Sequence, residues 1–236
     1  MPEINLHCPL NVVDVSSDQR VAAAGSTNSL LLFRIGSGVD TLSLEETHVI
    51  RDNSRMSSLK PILDLRFNPT LALPHLLATT SSSGALVVWD ITHCKTSLGH
   101  WEPSNVLAGH TGSVNCVTWH YSNPHTLISG SHDFKVKLWD LRVRTGATLS
   151  LCPAKGCAVR AVQFRKCENA NRFAVALTNG TVQIWDIRHA KVAERTFKVR
   201  CMRLNFLKIL HIIGSRYCIH VGLESRPTRF ITKRWA

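Results

Sequence analysis

The stretch GHTGSVNCVTWHYSNPHTLISGSHDFKVKLWDLR, residues 109–142, decides the fold. It opens on Gly109-His110 and continues into an alternating run containing Val114, Val117 and Trp119. A β-rich segment ending at Ser131 follows, then a turn at His132-Asp133, and a last strand closes on Trp139-Asp140. Period-two alternation broken by turn residues predicts three antiparallel strands forming one unit.

The same pattern recurs elsewhere. Aligned on the Trp without gaps, HLLATTSSSGALVVWDI (75–91), HTLISGSHDFKVKLWDL (125–141) and NRFAVALTNGTVQIWDI (171–187) superpose. QRVAAAGSTNSLLLFRI (19–35) falls into the same frame, with Phe33 for Trp and Arg34 for Asp. Upstream of each copy stands a strand with an apolar-x-x-apolar-x-aromatic rhythm: Ile62, Leu65, Phe67; Val114, Val117, Trp119; Val159, Val162, Phe164; and Leu10, Val13, Val15. Trp89, Trp139 and Trp185 lie 50 and 46 residues apart, a period that signals a stacked or radial repeat.

With Gly109-His110, Trp89-Asp90, Trp139-Asp140 and Trp185-Asp186, the chain resembles the WD-repeat family. The resemblance implies an all-β fold, a propeller of four-stranded blades. It also implies a structural hydrogen-bonded group of His110, Ser129, Asp133 and Trp139, since a buried imidazole and carboxylate are tolerable only when paired. The other copies carry Ala23, Thr79 and Val175 at the Ser position and Thr27, Ser83 and Asn179 at the Asp position, so the third blade is expected to be the firmest.

The expected blades lie near 8–44, 61–108, 109–151 and 157–197, within a propeller region 1–206. Outer strands are placed at Val39 to Leu44, Val106 to Ala108, Thr148 to Leu151 and Ala193 to Phe197, and residues 36–60 otherwise read as a flexible polar connector. A partial fifth blade begins near 200 with Cys201, Leu204 and Phe206; residues 207–236 read as a degenerate strand region with an irregular basic tail. Four clear blades with a degenerate fifth form an incomplete propeller with unpaired edges. Either a partner supplies the missing blades or the chain is a fragment or mis-spliced product of a longer protein; the second is favoured.

Composition bounds the function classes. An apolar fraction of 44% is that of a globular protein. No stretch approaches the roughly 20 apolar residues of a spanning helix, and the N-terminus lacks a secretory pattern, so a cytoplasmic protein without membrane insertion is expected. The eight cysteines are scattered without paired spacing. Zinc sets such as Cys152, Cys157 and Cys167, or His93, Cys94 and His100, therefore lack the spacing of a structural site, and no metal or cofactor is expected. His110, Ser129 and Asp133 superficially match a hydrolase triad, but Ser129 falls on an interior strand without a nucleophile elbow, so no enzyme is expected. The net charge is +12, and residues 199–236 contribute about seven of it. Without interleaved aromatics that tail is a poor nucleic-acid platform.

A non-catalytic scaffold for other proteins, within a multiprotein complex, is the function class these features support. The runs LLATTSSSGALVVWDI, LISGSHDFKVKLWDLR and NGTVQIWDIR are similar to the N-terminal propeller of the RING-bearing WD-repeat subunits of SEA/GATOR assemblies. That resemblance implies amino-acid-dependent TOR signalling at the lysosomal or vacuolar surface, with peripheral membrane association through the complex. The later blades, helical middle and metal-binding C-terminus of those subunits have no counterpart here. Two W-D-x-R endings, carrying Arg142 and Arg188, are candidate partner contacts and supply the alternative of a cullin-type ubiquitin ligase receptor. Nucleic-acid binding through the basic tail is a third alternative.

Overall fold

The repeat's middle strands read as continuous small and apolar runs rather than alternating ones, and this has a structural cause. In the computed structural model every residue of Leu76–Ser81 and of Thr126–Ser131 is buried, because each sheet is covered on both faces by its neighbours. The structure describes residues 9–27, 29–37, 42–51, 61–93, 102–143, 146–166, 171–199, 217–219 and 232–234.

Four four-stranded antiparallel sheets follow one another, each with its strands side by side in chain order. The first holds β1 (Leu10–Val15), β2 (Val21–Ser26), β3 (Ser29–Ser37) and β4 (Leu42–Arg51). The second holds β5 (Ile62–Phe67), β6 (Leu76–Ser81), β7 (Leu86–Asp90) and β8 (Asn105–Leu107). The third holds β9 (Val114–Trp119), β10 (Thr126–Ser131), β11 (Val136–Asp140) and β12 (Leu149–Leu151). The fourth holds β13 (Val159–Phe164), β14 (Arg172–Leu177), β15 (Thr181–Asp186) and β16 (Arg195–Lys198). The first strands are neighbours in the order β1, β5, β9, β13, so they form the inner rim and the fourth strands the outer one.

The core lies between blades. Leu30 and Leu32 of the first blade pack on Leu65, Phe67 and Trp89 of the second. Leu86 and Val88 of the second meet Val117, Trp119 and Trp139 of the third, and Ile128 and Val136 of the third meet Phe164, Phe173 and Trp185 of the fourth. Packing is close enough that a Cβ on Gly130 would stand 2.3 Å from Val159 Cγ1. On the first blade the matching inner-strand residues Leu10, Val13 and Val15 are 43%, 62% and 44% exposed, since no described blade precedes them.

Polar ties cross the same seams. Asn11 Nδ2 donates to the Ile62 carbonyl at 3.1 Å, and Asn115 Nδ2, at the same place two blades on, donates to the Val159 carbonyl at 2.7 Å. The Phe67 amide donates to Asp14 Oδ2 at 2.8 Å and the Val117 amide to Asp64 Oδ2 at 3.0 Å. Each tie satisfies an inner-strand backbone group that the sheet itself leaves without a strand neighbour.

Several expectations need correction. The gap-free alignment set Ala23 at the Ser129 position, but Ala22 pairs with Phe33 and Ala24 with Leu31, as Leu127 pairs with Trp139 and Ser129 with Lys137. Ala24 holds that position, because the β2–β3 turn is one residue shorter than its counterparts and the strand register absorbs the difference. The fourth strand of the first blade does not stop at Leu44: β4 reaches Arg51 and pairs with all of β3 through an irregularity at Leu32/Phe33, replacing much of the expected connector. An outermost strand is held by its backbone ladder and can carry the charged residues that hid it. The supposed irregular tail contributes β18 (Thr232–Arg234), which pairs antiparallel with β17 (Tyr217–Ile219), in keeping with the β-branched and aromatic residues there. Cys201, Leu204 and Phe206 lie outside the described residues.

Candidate functional site

His110 arrives from the loop entering β9, Ser129 from β10, Asp133 from the β10–β11 turn and Trp139 from β11, and the structure brings all four together. The Trp139 indole N–H donates to Ser129 Oγ at 2.8 Å, and Ser129 Oγ lies 2.8 Å from His110 Nε2. His110 Nδ1 lies 2.8 Å from Asp133 Oδ2, which also accepts from the Thr111 amide at 3.1 Å. Only one assignment of protons satisfies every member: the indole donates to Ser129, the hydroxyl donates to a neutral His110, and Nδ1–H donates to an ionised Asp133.

Electrostatics agree with that assignment. Burial pushes the His110 pKa below its ordinary value of 6.5 and, helped by the ammonium groups of Lys137 and Lys135, outweighs the pull of Asp133. Burial also opposes ionisation of Asp133, but hydrogen bonds from His110 and Thr111 hold its pKa below the usual range. Protonating His110 would turn Nε2 into a donor facing Ser129, leaving the hydroxyl hydrogen without its buried acceptor. A group whose folded pKa is depressed contributes stability above its unfolded value and loses it as pH falls through the folded one. Denaturation between pH 7 and 5 is therefore expected to show a stability loss beginning near pH 6.5, with a smaller slope in His110→Gln. An unchanged slope in that variant would remove the neutral-imidazole assignment.

Ser129 is wholly buried, and its oxygen accepts the indole proton. The trio thus presents no accessible nucleophile, and its chemistry is that of a clamp binding turn to sheet.

The other blades keep parts of the clamp. In the second, Trp89 Nε1 donates to Thr79 Oγ1 at 3.0 Å. In the fourth, Val175 offers no oxygen, and Trp185 Nε1 donates to Gln183 Oε1 at 3.1 Å while the Gln183 amide reaches the Pro153 carbonyl at 3.3 Å. Sequence reasoning missed Gln183, although a glutamine aligned with Val87 was the available signal. It also missed Asp14 and Asp64, acidic residues in largely apolar inner strands that burial drives toward raised pKa values.

Both candidate rim arginines are held by the Asp of their own motif. Arg142 Nε and Nη2 donate to Asp140 at 2.9 and 2.6 Å, and Arg188 Nε and Nη2 donate to Asp186 at 3.0 and 2.7 Å. The Arg188 hydrogen bond holds Asp186 at a pKa of about 2 against the effect of burial, and Arg142 likewise lowers Asp140. The side chains remain 61% and 62% exposed. Each guanidinium has five N–H donors and spends two on its Asp, which fixes its plane. In the second blade Asp90 instead accepts from Thr92 Oγ1 at 2.6 Å, with His93 Nδ1 3.1 Å away, so no arginine stands there.

Among the described residues no His, Cys, Asp and Glu group is placed to hold a metal ion. Cys94, His100 and Cys167 of the zinc sets considered above lie outside them. No helix among the described residues is long and apolar enough to cross a membrane.

Four meandering sheets in series around an inner rim, with a Trp-Asp ending on three of them, have the architecture of a WD-repeat β-propeller, incomplete over the described residues. The WD domain, G-beta repeat family model matches residues 101–140. The chain is 29% identical over 198 residues to the GATOR2 complex protein WDR24 of Xenopus laevis, an alignment covering 82% of this chain and 23% of that protein. It is also 29% identical over 200 residues to the Homo sapiens protein of that name, covering 81% of this chain and 23% of the relative. A G-protein β subunit, guanine nucleotide-binding protein subunit beta-1 of Nicotiana tabacum, is 36% identical over 113 residues, 48% of this chain and 28% of the relative. The chain thus spans about a quarter of the length of these curated relatives.

Proposed function

We propose that this chain is a non-catalytic scaffold within a GATOR2-type complex, regulating amino-acid-dependent TOR signalling from a cytoplasmic position at the lysosomal or vacuolar surface. The observation that carries this reading is the similarity to proteins named for that complex across 82% of the chain, from the first blade to the fourth. The propeller supplies a rigid frame whose loops and rims are set by buried clamps, which suits docking rather than turnover.

A cullin-ligase receptor is the second reading, supported by the two matched arginines exposed at equivalent places just after the third strands of their blades. One experiment separates the two. The tagged full chain is expressed in cells, and its partners are compared with those of the Arg142→Ala/Arg188→Ala double variant. Recovery of GATOR2 subunits by both chains is the expected result. Recovery of a cullin adaptor by the wild type alone would replace the first reading with the second, and recovery of neither would remove both.

A further inference from the structure

The third blade breaks a rule that two other blades obey at their outward turn. Gly84 and Gly180 occupy the turn between the second and third strands with φ of +92° and +77°, the left-handed region that favours glycine. Phe134 stands at the aligned position with φ +68°. A bulky residue in that conformation is strained, and such strain persists where something else retains it. Space also differs. A Cβ at Gly84 would meet the His110 carbonyl oxygen at 3.0 Å and one at Gly180 the Val199 carbonyl oxygen at 2.7 Å. The Phe134 side chain is accommodated and remains 36% exposed.

Its surroundings are specific. The exposed His132 ring lies 6.3 Å from the Phe134 ring, centroid to centroid. Lys135 follows directly, and Lys137 Nζ sits 5.9 Å from the Trp139 ring centroid. Among the described residues neither ammonium belongs to an ion pair. Asp133, the acidic residue of this turn, is occupied from within by His110 and by the Thr111 and Lys135 amides. The turn is laced to the preceding loop: the His132 amide donates to the Ser113 carbonyl at 2.8 Å, and Ser131 Oγ donates to the Gly112 carbonyl at 3.0 Å. The matching turns read Ser82-Ser83-Gly84 and Thr178-Asn179-Gly180, without aromatic or charge.

We propose that Phe134, with His132, Lys135 and Lys137, forms a docking surface for a short acidic peptide segment carrying one aromatic or aliphatic anchor. An exposed aromatic on a rigid base has little ordering entropy left to lose, which is what makes such residues binding hot spots. The lysines attract the acidic flanks. A nucleic acid fits less well, because a lone ring offers no succession of stacking platforms. The surface stands apart from membership of any complex and can fail without affecting it.

The test uses the full chain and a fluorescein-labelled peptide of Glu residues around a central Phe. Controls replace that Phe with Gly, replace the Glu residues with Lys, or substitute an oligothymidylate. Saturable, salt-sensitive binding of the acidic peptide is expected, weakened about tenfold or more by Phe134→Gly or Phe134→Asn and by the Lys135→Glu/Lys137→Glu pair. Both Phe134 variants relieve the left-handed strain and are expected to raise Tm by about 2 to 4 °C while losing the peptide. Absence of saturable binding, unchanged binding by the Phe134 variants, a lowered Tm in both, or tighter binding of the oligothymidylate would each overturn the proposal.

Discussion

Trp139→Ala is expected to lower unfolding free energy by about 3 to 5 kcal/mol and Tm by about 10 °C or more. The indole is fully buried and fills the seam between the second and third blades, against Leu86, Val88 and Val117. Its removal leaves a cavity that a sheet covered on both faces cannot collapse to fill. Because total stability is commonly only about 5 to 15 kcal/mol, one such loss takes a large share of it. Trp139→Phe separates the contributions: most of the volume stays, the hydrogen bond to Ser129 goes, and the expected cost falls to about 1 to 2 kcal/mol. Val192→Ala, at a residue 74% exposed, serves as a control expected to change stability by less than about 0.5 kcal/mol. Denaturant midpoints at fixed pH make the comparison. A Trp139→Ala protein within about 1 kcal/mol of wild type would mean that the blade seam does not organise the fold.

Asp64→Ala should be the most damaging change at a charged residue, about 3 kcal/mol. Asp64 accepts from the Val117 amide of the next blade at 3.0 Å and from the Leu65 amide at 3.0 Å, with Arg66 Nε 3.4 Å away. Deleting the carboxylate orphans two buried amides, each costing about 1 to 3 kcal/mol. Arg66 adds less, because its side chain is 32% exposed and can turn to water. Asp64→Asn keeps one accepting oxygen and should lose about half as much. The two variants also differ from wild type in their response to acid. Burial raises the Asp64 pKa above 3.8 despite Arg66 and the two amides, so its ionised form is disfavoured in the fold. Relative to Asp64→Asn, the wild type should therefore gain stability as pH falls through that raised value, opposite in sign to the His110 effect. A parallel pH dependence in the two proteins would show that the carboxylate is not strained by its burial.

Much of the architecture was legible because it repeats. The spacing of Trp89, Trp139 and Trp185 and the rhythm of Val114, Val117 and Trp119 are local patterns, and local patterns identify strands without knowledge of what they pack against. The relay of His110, Ser129, Asp133 and Trp139 was legible for the same reason, since all four lie within one repeat and a resemblance carried them over together.

What escaped the sequence was whatever depends on a neighbouring blade or on register. Ala24 rather than Ala23 faces the first blade's Phe33 side because the turn between their strands is one residue shorter, a difference seen only in the ladder. Gln183 serves Trp185 because Val175, across the sheet, lacks an oxygen. Asp64 reads as an anomaly in a largely apolar strand until the Val117 amide, 53 residues away, is found beside it. Phe134 reads as an ordinary aromatic until its backbone is seen in the left-handed region where its counterparts are Gly84 and Gly180. Alternation and spacing record which residues share a strand and a face. Which groups meet across a seam, and which turn stores strain, follow from packing one sheet on the next, and no single repeat contains that information.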